Sequence, residues 1–360
     1  MTALRDVEWE SCLLPSSRDP ELEAYLRREL GMVPGMARYF PSSPWVVRSL
    51  AGVNHDRALL VHVDLRLADW IGLVVSADNS CRFCFAAQSA LLRIQGFSDE
   101  RIRQLQEDLL STSLGGRESA ALEFARRFSR ASPLVQWSDT RALQTAGWSD
   151  AEIREIAFVA ASYVYFNRLA TLPALPPESM EAMPERWWFG LAAPMLRWKI
   201  KKRRAAPDRL APEECSGPFA YLVEELDGLP VARAMRRVLD EAFASPHLSP
   251  SARALVFAVV ARGLGCPLAE AEARLRLEAE GWAPAEIEET LAHLGSTRLA
   301  PAERAMLSLA RESIRYEPAR LQRRARDLRE ALSVPAFVEF VGLCSLANAV
   351  CRLGAAVARC

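Results

Sequence analysis

Apolar positions recur at helical spacing in one block after another along this chain, and short breakers separate the blocks. No run alternates β-branched with polar residues, so strands are not expected and the fold class is all-α. The pattern predicts helices over about 20–31, 45–53, 64–77, 80–95, 98–107, 117–131, 139–146 and 149–169. Gly96 and Gly147 each close one helix just before a Ser-Asp pair opens the next. From about 217 to 358 the rhythm repeats, and Ala-Pro-Ala-Glu at 283–286 and 300–303 marks two further helix starts.

The repetition is a duplication. A shift of 185 residues lays Cys81 on Cys266, Gly96 on Gly281 and Glu118 on Glu303. With one deletion, Phe166-Asn-Arg-Leu-Ala falls on Val350-Cys-Arg-Leu-Gly. A shared offset at so many points means two tandem copies of one helical domain. The expected division is a first domain at 1–178, a Pro-rich and basic linker at 179–212, and a second domain at 213–360. Within the linker, Arg186 to Arg204 sets aromatic anchors before a basic cluster, a pattern that anionic membranes and nucleic acids also attract. Pro194 interrupts that segment, and it reads as a linker with packed tryptophans and solvated charges.

Composition narrows the partners. The 360 residues are 50% hydrophobic, and 45 basic side chains balance 45 acidic ones, so no global field points to nucleic acid. The start of the chain lacks a basic then apolar leader, and no stretch of about 18 apolar residues runs uninterrupted, so no membrane span and a cytoplasmic location are expected. Eight cysteines in a chain of this length are not a disulfide framework, and Cys344 and Cys351 read as core thiols.

Cys81 and Cys84 carry the candidate chemistry. They form a Cys-x-x-Cys at the start of an expected helix, with Asn79 or Ser80 as its N-cap, so both sulfurs lie where the helix favours a thiolate. Half a zinc site has the same spelling, but no second Cys-x-x-Cys or His-x3-His accompanies the pair, so no metal and no cofactor are expected. Redox chemistry is the leading reading.

Around this pair the chain resembles the alkylhydroperoxidase D and carboxymuconolactone decarboxylase family. Asp69, Cys81, Cys84, Gln88, Gly96, Ser98-Asp99-Glu100 and Asn167-Arg168 follow that family's spacing over roughly 30–178, and a weaker version covers 217–358. The resemblance implies two tandem AhpD-like helical domains arranged as an intrachain pseudo-dimer, in a family that oligomerises. It also implies reduction of a hydroperoxide, with Cys84 attacking, Cys81 resolving it as a disulfide, and a dithiol or thioredoxin-like partner as reductant. The family's proton relay uses a Glu and a His. Here Asp69 is an acid of shorter reach, and Gln88, in the His position, has no titratable proton. His62, seven residues before Asp69, shares a face with it if one helix carries both, and would then supply the imidazole; otherwise it is a polar His at a helix start. His55, His247 and His293 have no constellation around them.

The second copy has Ala254, Cys266, Ala269 and Ala273 at the matching positions, so its site is lost and Cys266 reads as a remnant. A non-catalytic redox sensor or scaffold, or a biosynthetic enzyme using the same helical pocket, are the competing readings. Phe83, Phe85, Trp70, Tyr163 and Tyr165 are aromatic candidates for that pocket and equally suit a core.

Overall fold

A computed structural model describes residues 7–54, 59–98, 100–102, 104, 115–176 and 205–358. Among these, every regular element is helical, apart from one isolated bridge between Asp208 and Gly228. The first copy contains α1 (Pro20–Leu30), α2 (Pro44–Gly52), α3 (Leu65–Asp78), α4 (Arg82–Gln95), α5 (Gly116–Ser129), α6 (Arg141–Thr145) and α7 (Asp150–Thr171). The second contains α8 (Ala220–Glu225), α9 (Pro230–Ala244), α10 (Pro250–Leu264), α11 (Pro267–Ala279), α12 (Pro284–His293), α13 (Pro301–Glu312), α14 (Pro318–Ala331) and α15 (Val334–Val357). Of the helix expected over 98–107, residues 100–102 and 104 are helical and half of the positions lie outside the described residues, as do the whole aromatic and basic segment 186–204 and His55.

Local signals set the boundaries. Asp19 accepts from the N–H groups of Glu21 and Leu22 to open α1, and Ser149 with Glu152 forms a reciprocal capping box on α7. Proline stands in the first turn of α9 to α14, where its missing N–H costs no helical hydrogen bond. One expectation fails at α4. Asn79 caps the end of α3 and Ser80 takes a left-handed φ of 50°, so Cys81 itself is the N-cap.

The duplication is visible in the backbone. Cys81 N–H donates to Ser76 O and Cys266 N–H to Ala261 O, each at 2.9 Å. Phe97 N–H donates to Leu92 O and Trp282 N–H to Leu277 O, each at 3.0 Å. A buried carboxylate repeats as well. Glu155 accepts from the N–H groups of Val61, His62 and Val63 at 2.7–2.9 Å, and Glu339 accepts from those of His247 and Leu248 at 3.0 Å. Each thereby fixes the turn that leads into α3 or α10.

The copies pair within the chain. α7 packs along α15 more extensively than any other two helices meet, and α2 packs on α9 as a second pseudo-symmetric contact. Phe158, Phe337, Phe340, Leu343 and Leu346 are wholly enclosed, each contributing roughly 1.5–3 kcal/mol. The ion pairs that cross between copies among the described residues, Arg48–Glu241, Arg154–Glu225, Arg323–Glu8 and Arg326–Glu10, are part exposed and contribute about 0–1 kcal/mol each, so apolar burial decides the pairing. Helix α15 is long and apolar enough to cross a membrane by composition, but 89% of its most apolar window is buried inside the protein. It is the central helix of the second copy's core.

The aromatic candidates divide. Phe83, Tyr163 and Tyr165 belong to the core, while Trp70 is half-buried with its ring edge-on to Phe97 at 5.6 Å. Tyr163 lies directly over Gly72, so a methyl at residue 72 would overlap the phenol ring. Gly72→Ala is therefore expected to destabilise the protein by about 1–3 kcal/mol, read as a lower midpoint in urea. Tyr163→Leu in the same chain should restore part of the loss, and an unchanged midpoint for Gly72→Ala would contradict this packing.

Candidate active site

Both sulfurs sit at the positive end of α4. Cys81 is wholly buried and its Sγ accepts the N–H of Cys84 at 3.4 Å, while Cys84 keeps 5% of its surface exposed. Neither is held in a disulfide. Three groups close around Cys81: the N–H of Cys84 from α4, and Asn167 O and Thr171 Oγ1 from α7. Its Sγ lies 3.8 Å from Asn167 O and 3.9 Å from Thr171 Oγ1, and the Asn167 side chain ties the end of α3 through Ser76 Oγ and Val75 O.

The fourth comes from the other copy. Tyr316, in the turn between α13 and α14, donates from its hydroxyl to Asn167 O at 2.9 Å and shares a hydrogen bond with Thr171. Burial works to raise the Cys81 thiol. Hydrogen bonds from the Cys84 thiol and N–H, and from the Thr171 and Tyr316 hydroxyls, outweigh it and hold Cys81 below its ordinary value. Tyr316 itself is pushed well up, by burial first and then by the neighbouring sulfurs.

Arginines set the position of that turn. Arg168 is fully enclosed and donates from Nε to Ser313 O at 2.9 Å and from Nη2 to Ile314 O at 3.4 Å, with its guanidinium 5.2 Å from the Tyr316 ring centre. Arg352, its pseudo-symmetric counterpart, also donates to Ile314 O, at 3.3 Å, and to Asn348 Oδ1 at 2.8 Å. No carboxylate pairs with either among the described residues. Burial lowers Arg168 to about 10 and pulls Arg352 well below its ordinary value.

The other expected site residues are placed as follows. Gln88 lies one turn beyond Cys84 on α4, 7% exposed, with Oε1 buried and lacking a hydrogen-bond donor. Asp69 is buried on α3 and accepts from Gln95 Nε2. Gln95 is eleven residues past Cys84, a rise of about 16 Å along the helix, so this bond draws the short carboxylate toward the far end of α4. His62 does not share a helix with Asp69. It lies in the bend before Asp64, the N-cap of α3, with its side chain exposed and its N–H held by Glu155. The site therefore gathers Cys81, Cys84 and Gln88 on α4 with Asn167 and Thr171 on α7, and leaves His62 outside.

Two features escaped the sequence. Tyr316 matches no motif, and its counterpart at the offset of 185 is Ala131. Cys266 is not alone, because Cys351 stands where Asn167 stands in the first copy. Cys266 Sγ donates to Cys351 O at 3.4 Å, and the Cys351 thiol hydrogen-bonds to Cys266, holding Cys266 below its ordinary value while burial raises Cys351. The mirrored alignment of Asn167 and Cys351 already carried that signal.

No family model matches the chain, and no curated protein matches it. Among solved structures it is similar to an uncharacterized peroxidase-related protein from Silicibacter sp. TM1040, with 24% identity and a TM-score of 0.41, over 48% of this chain and 95% of that one. It is also similar to an alkylhydroperoxidase AhpD core, an uncharacterized peroxidase-related protein from Ralstonia eutropha JMP134, with 22% identity and a TM-score of 0.43, over 50% of this chain and 99% of that one.

The Cys84 thiol is the largest of the hydrogen-bonding influences on Cys81. Cys84→Ala should therefore raise the titration of Cys81, followed as thiolate absorbance in the ultraviolet. Asp69→Asn should leave that titration in place, and a comparable rise in both variants would contradict the geometry.

Proposed function

We propose that the first copy, residues 1–178, is a thiol-dependent hydroperoxide reductase of the alkylhydroperoxidase D type, and that the second copy, 213–360, supports it across the 179–212 linker. One observation carries this reading: the two thiols stand together at the N-terminus of α4, with Cys81 Sγ accepting the N–H of Cys84 at 3.4 Å. The pair thereby supplies its own base where the family's His is replaced by Gln88.

Besides the Cys84 proton the cycle takes one proton from solvent, which turns the hydroxide released as the disulfide forms into water. Cys84 is the more accessible sulfur and passes its proton to the Cys81 thiolate as it attacks the terminal peroxide oxygen. The O–O bond breaks, the alkoxide takes that proton from Cys81 and leaves as the alcohol, and Cys84 becomes a sulfenic acid. Cys81 then attacks the Cys84 sulfur, water leaves, and a Cys81–Cys84 disulfide remains. A small dithiol or thioredoxin-like protein returns two electrons by exchange, and a reducing cytoplasm suits that cycle. The bare Gln88 Oε1 is an acceptor for the hydroperoxide O–H.

The enclosure of the pair favours one other reading, a dithiol sensor that cycles without rapid turnover. Hydroperoxide consumption with a dithiol reductant separates the two. Under the peroxidase reading, Cys84→Ser abolishes consumption, and Cys81→Ser leaves a sulfenic acid or mixed disulfide on Cys84 by mass spectrometry. Negligible consumption by the natural chain, with a gain of orders of magnitude in Gln88→His, would instead establish the sensor. Full activity in both cysteine variants would remove both readings.

A further inference from the structure

We infer that Tyr316, delivered by the second copy, completes the cysteine site of the first as a positioning residue, forming with Thr171 a two-hydroxyl chain that stabilises the Cys81 thiolate. The inference rests on the dithiol chemistry proposed above and assigns the second copy its part in it.

Counting hydrogens shows how the chain works. Thr171 and Tyr316 have one hydroxyl hydrogen each, while three acceptors lie within reach: Cys81 Sγ, Asn167 O and the partner hydroxyl. With Cys81 as a thiol, its S–H points to Asn167 O, Thr171 donates to Tyr316, and Tyr316 donates to Asn167 O. With Cys81 as a thiolate, Tyr316 donates to Thr171 and Thr171 donates to the sulfur. Passing between the two arrangements needs the departure of the Cys81 proton and the rotation of two O–H bonds. In the thiolate arrangement each hydroxyl polarises the next, which strengthens the last bond to sulfur.

The chain is fixed from both copies. Arg168 and Arg352 hold the carbonyls of Ser313 and Ile314, so the turn that carries Tyr316 is pinned two residues before the phenol. Ser313 in turn accepts from Cys344 Sγ at 3.1 Å and Asn348 Nδ2 at 2.9 Å on α15. The titratable or charged groups around Cys81 are thus Cys84 from α4, Tyr316 from its turn, and behind the phenol Arg168 from α7 with Arg352 and Cys344 from α15. The arrangement is one-sided. Pro133 and Pro318 correspond, which places Ala131 opposite Tyr316, and Ala355 opposite Thr171, so neither hydroxyl is repeated around Cys266.

The test is the thiolate titration of Cys81, taken as the difference between each chain and its own Cys81→Ser version. It needs no turnover and therefore separates this inference from the peroxidase reading. Tyr316→Phe should raise the titration by about one pH unit, the effect of one hydrogen bond to an anion. Thr171→Val should raise it too, Thr171→Ser should restore it, and the Tyr316→Phe/Thr171→Val pair should add little beyond Thr171→Val alone, because one chain is cut at two points. If Tyr316→Phe loses its helical circular dichroism, the Thr171 variants carry the same expectation. An unshifted titration in folded Tyr316→Phe, or in both Thr171 variants, overturns the inference. A shifted titration in a chain that consumes no hydroperoxide leaves Tyr316 in its role and removes the peroxidase reading alone.

Discussion

The contact between α7 and α15 is the constraint on which the rest of the structure depends. Each is a long helix buried on nearly every side, and neither copy holds enough surface of its own to cover it. Apolar association of this kind is non-directional and would allow the helices to slide. Buried polar groups remove that freedom. Glu155 and Glu339 lock one end of each helix to the turn before α3 or α10, and Arg168 and Arg352 lock the other to a single turn of the second copy. Because enclosed donors and acceptors without partners are costly, these bonds set the register while apolar burial supplies most of the stability.

The same economy explains the asymmetry at the centre. Under strict twofold symmetry, each arginine would bind the turn of the opposite copy. Here both bind the carbonyl of Ile314, and the two cations face one another with backbone oxygens, Asn348 and an aromatic ring as their surroundings. A positive region enclosed in this way favours negative charge nearby. Its ionisable neighbours are Cys344 and Tyr316 beside Arg168, Cys351 beside Arg352 and, beyond the phenol, the sulfur pair, so the electrostatics of the interface and of the cysteine site are one problem.

Much of this was legible in the sequence, for reasons of locality. Helix boundaries follow from Asp19, Ser149, Gly96 and the first-turn prolines, which act within one turn of themselves, and they fall within a few residues of their expected places. The duplication was legible because a constant offset needs no knowledge of the fold. Failures came where a residue acts across the chain. Cys81 displaced Asn79 and Ser80 as the cap because Asn79 was already closing α3. His62 was drawn to Asp69 by a spacing of seven that only a helix would honour, and the helix begins after it. Tyr316 lies 235 positions from Cys81, in a turn without a motif, and only the pairing of the copies brings it to the sulfur.

Fusion of two copies permits a division of labour that a homodimer cannot reach. In a homodimer any residue placed to serve the partner's site must also appear beside its own, so a bulky hydroxyl at the turn would be present twice. In one chain the two turns are free to differ, and they do: Ala131 in one, Tyr316 in the other. The second copy has Ala269 where the first has Cys84, while keeping the backbone frame that positions the turn. Around Cys266 stands the Cys351 thiol, and the positions of Thr171 and Tyr316 are taken by Ala355 and Ala131. A missing second cysteine in one half and a single hydroxyl supplied to the other are then two consequences of the same broken symmetry.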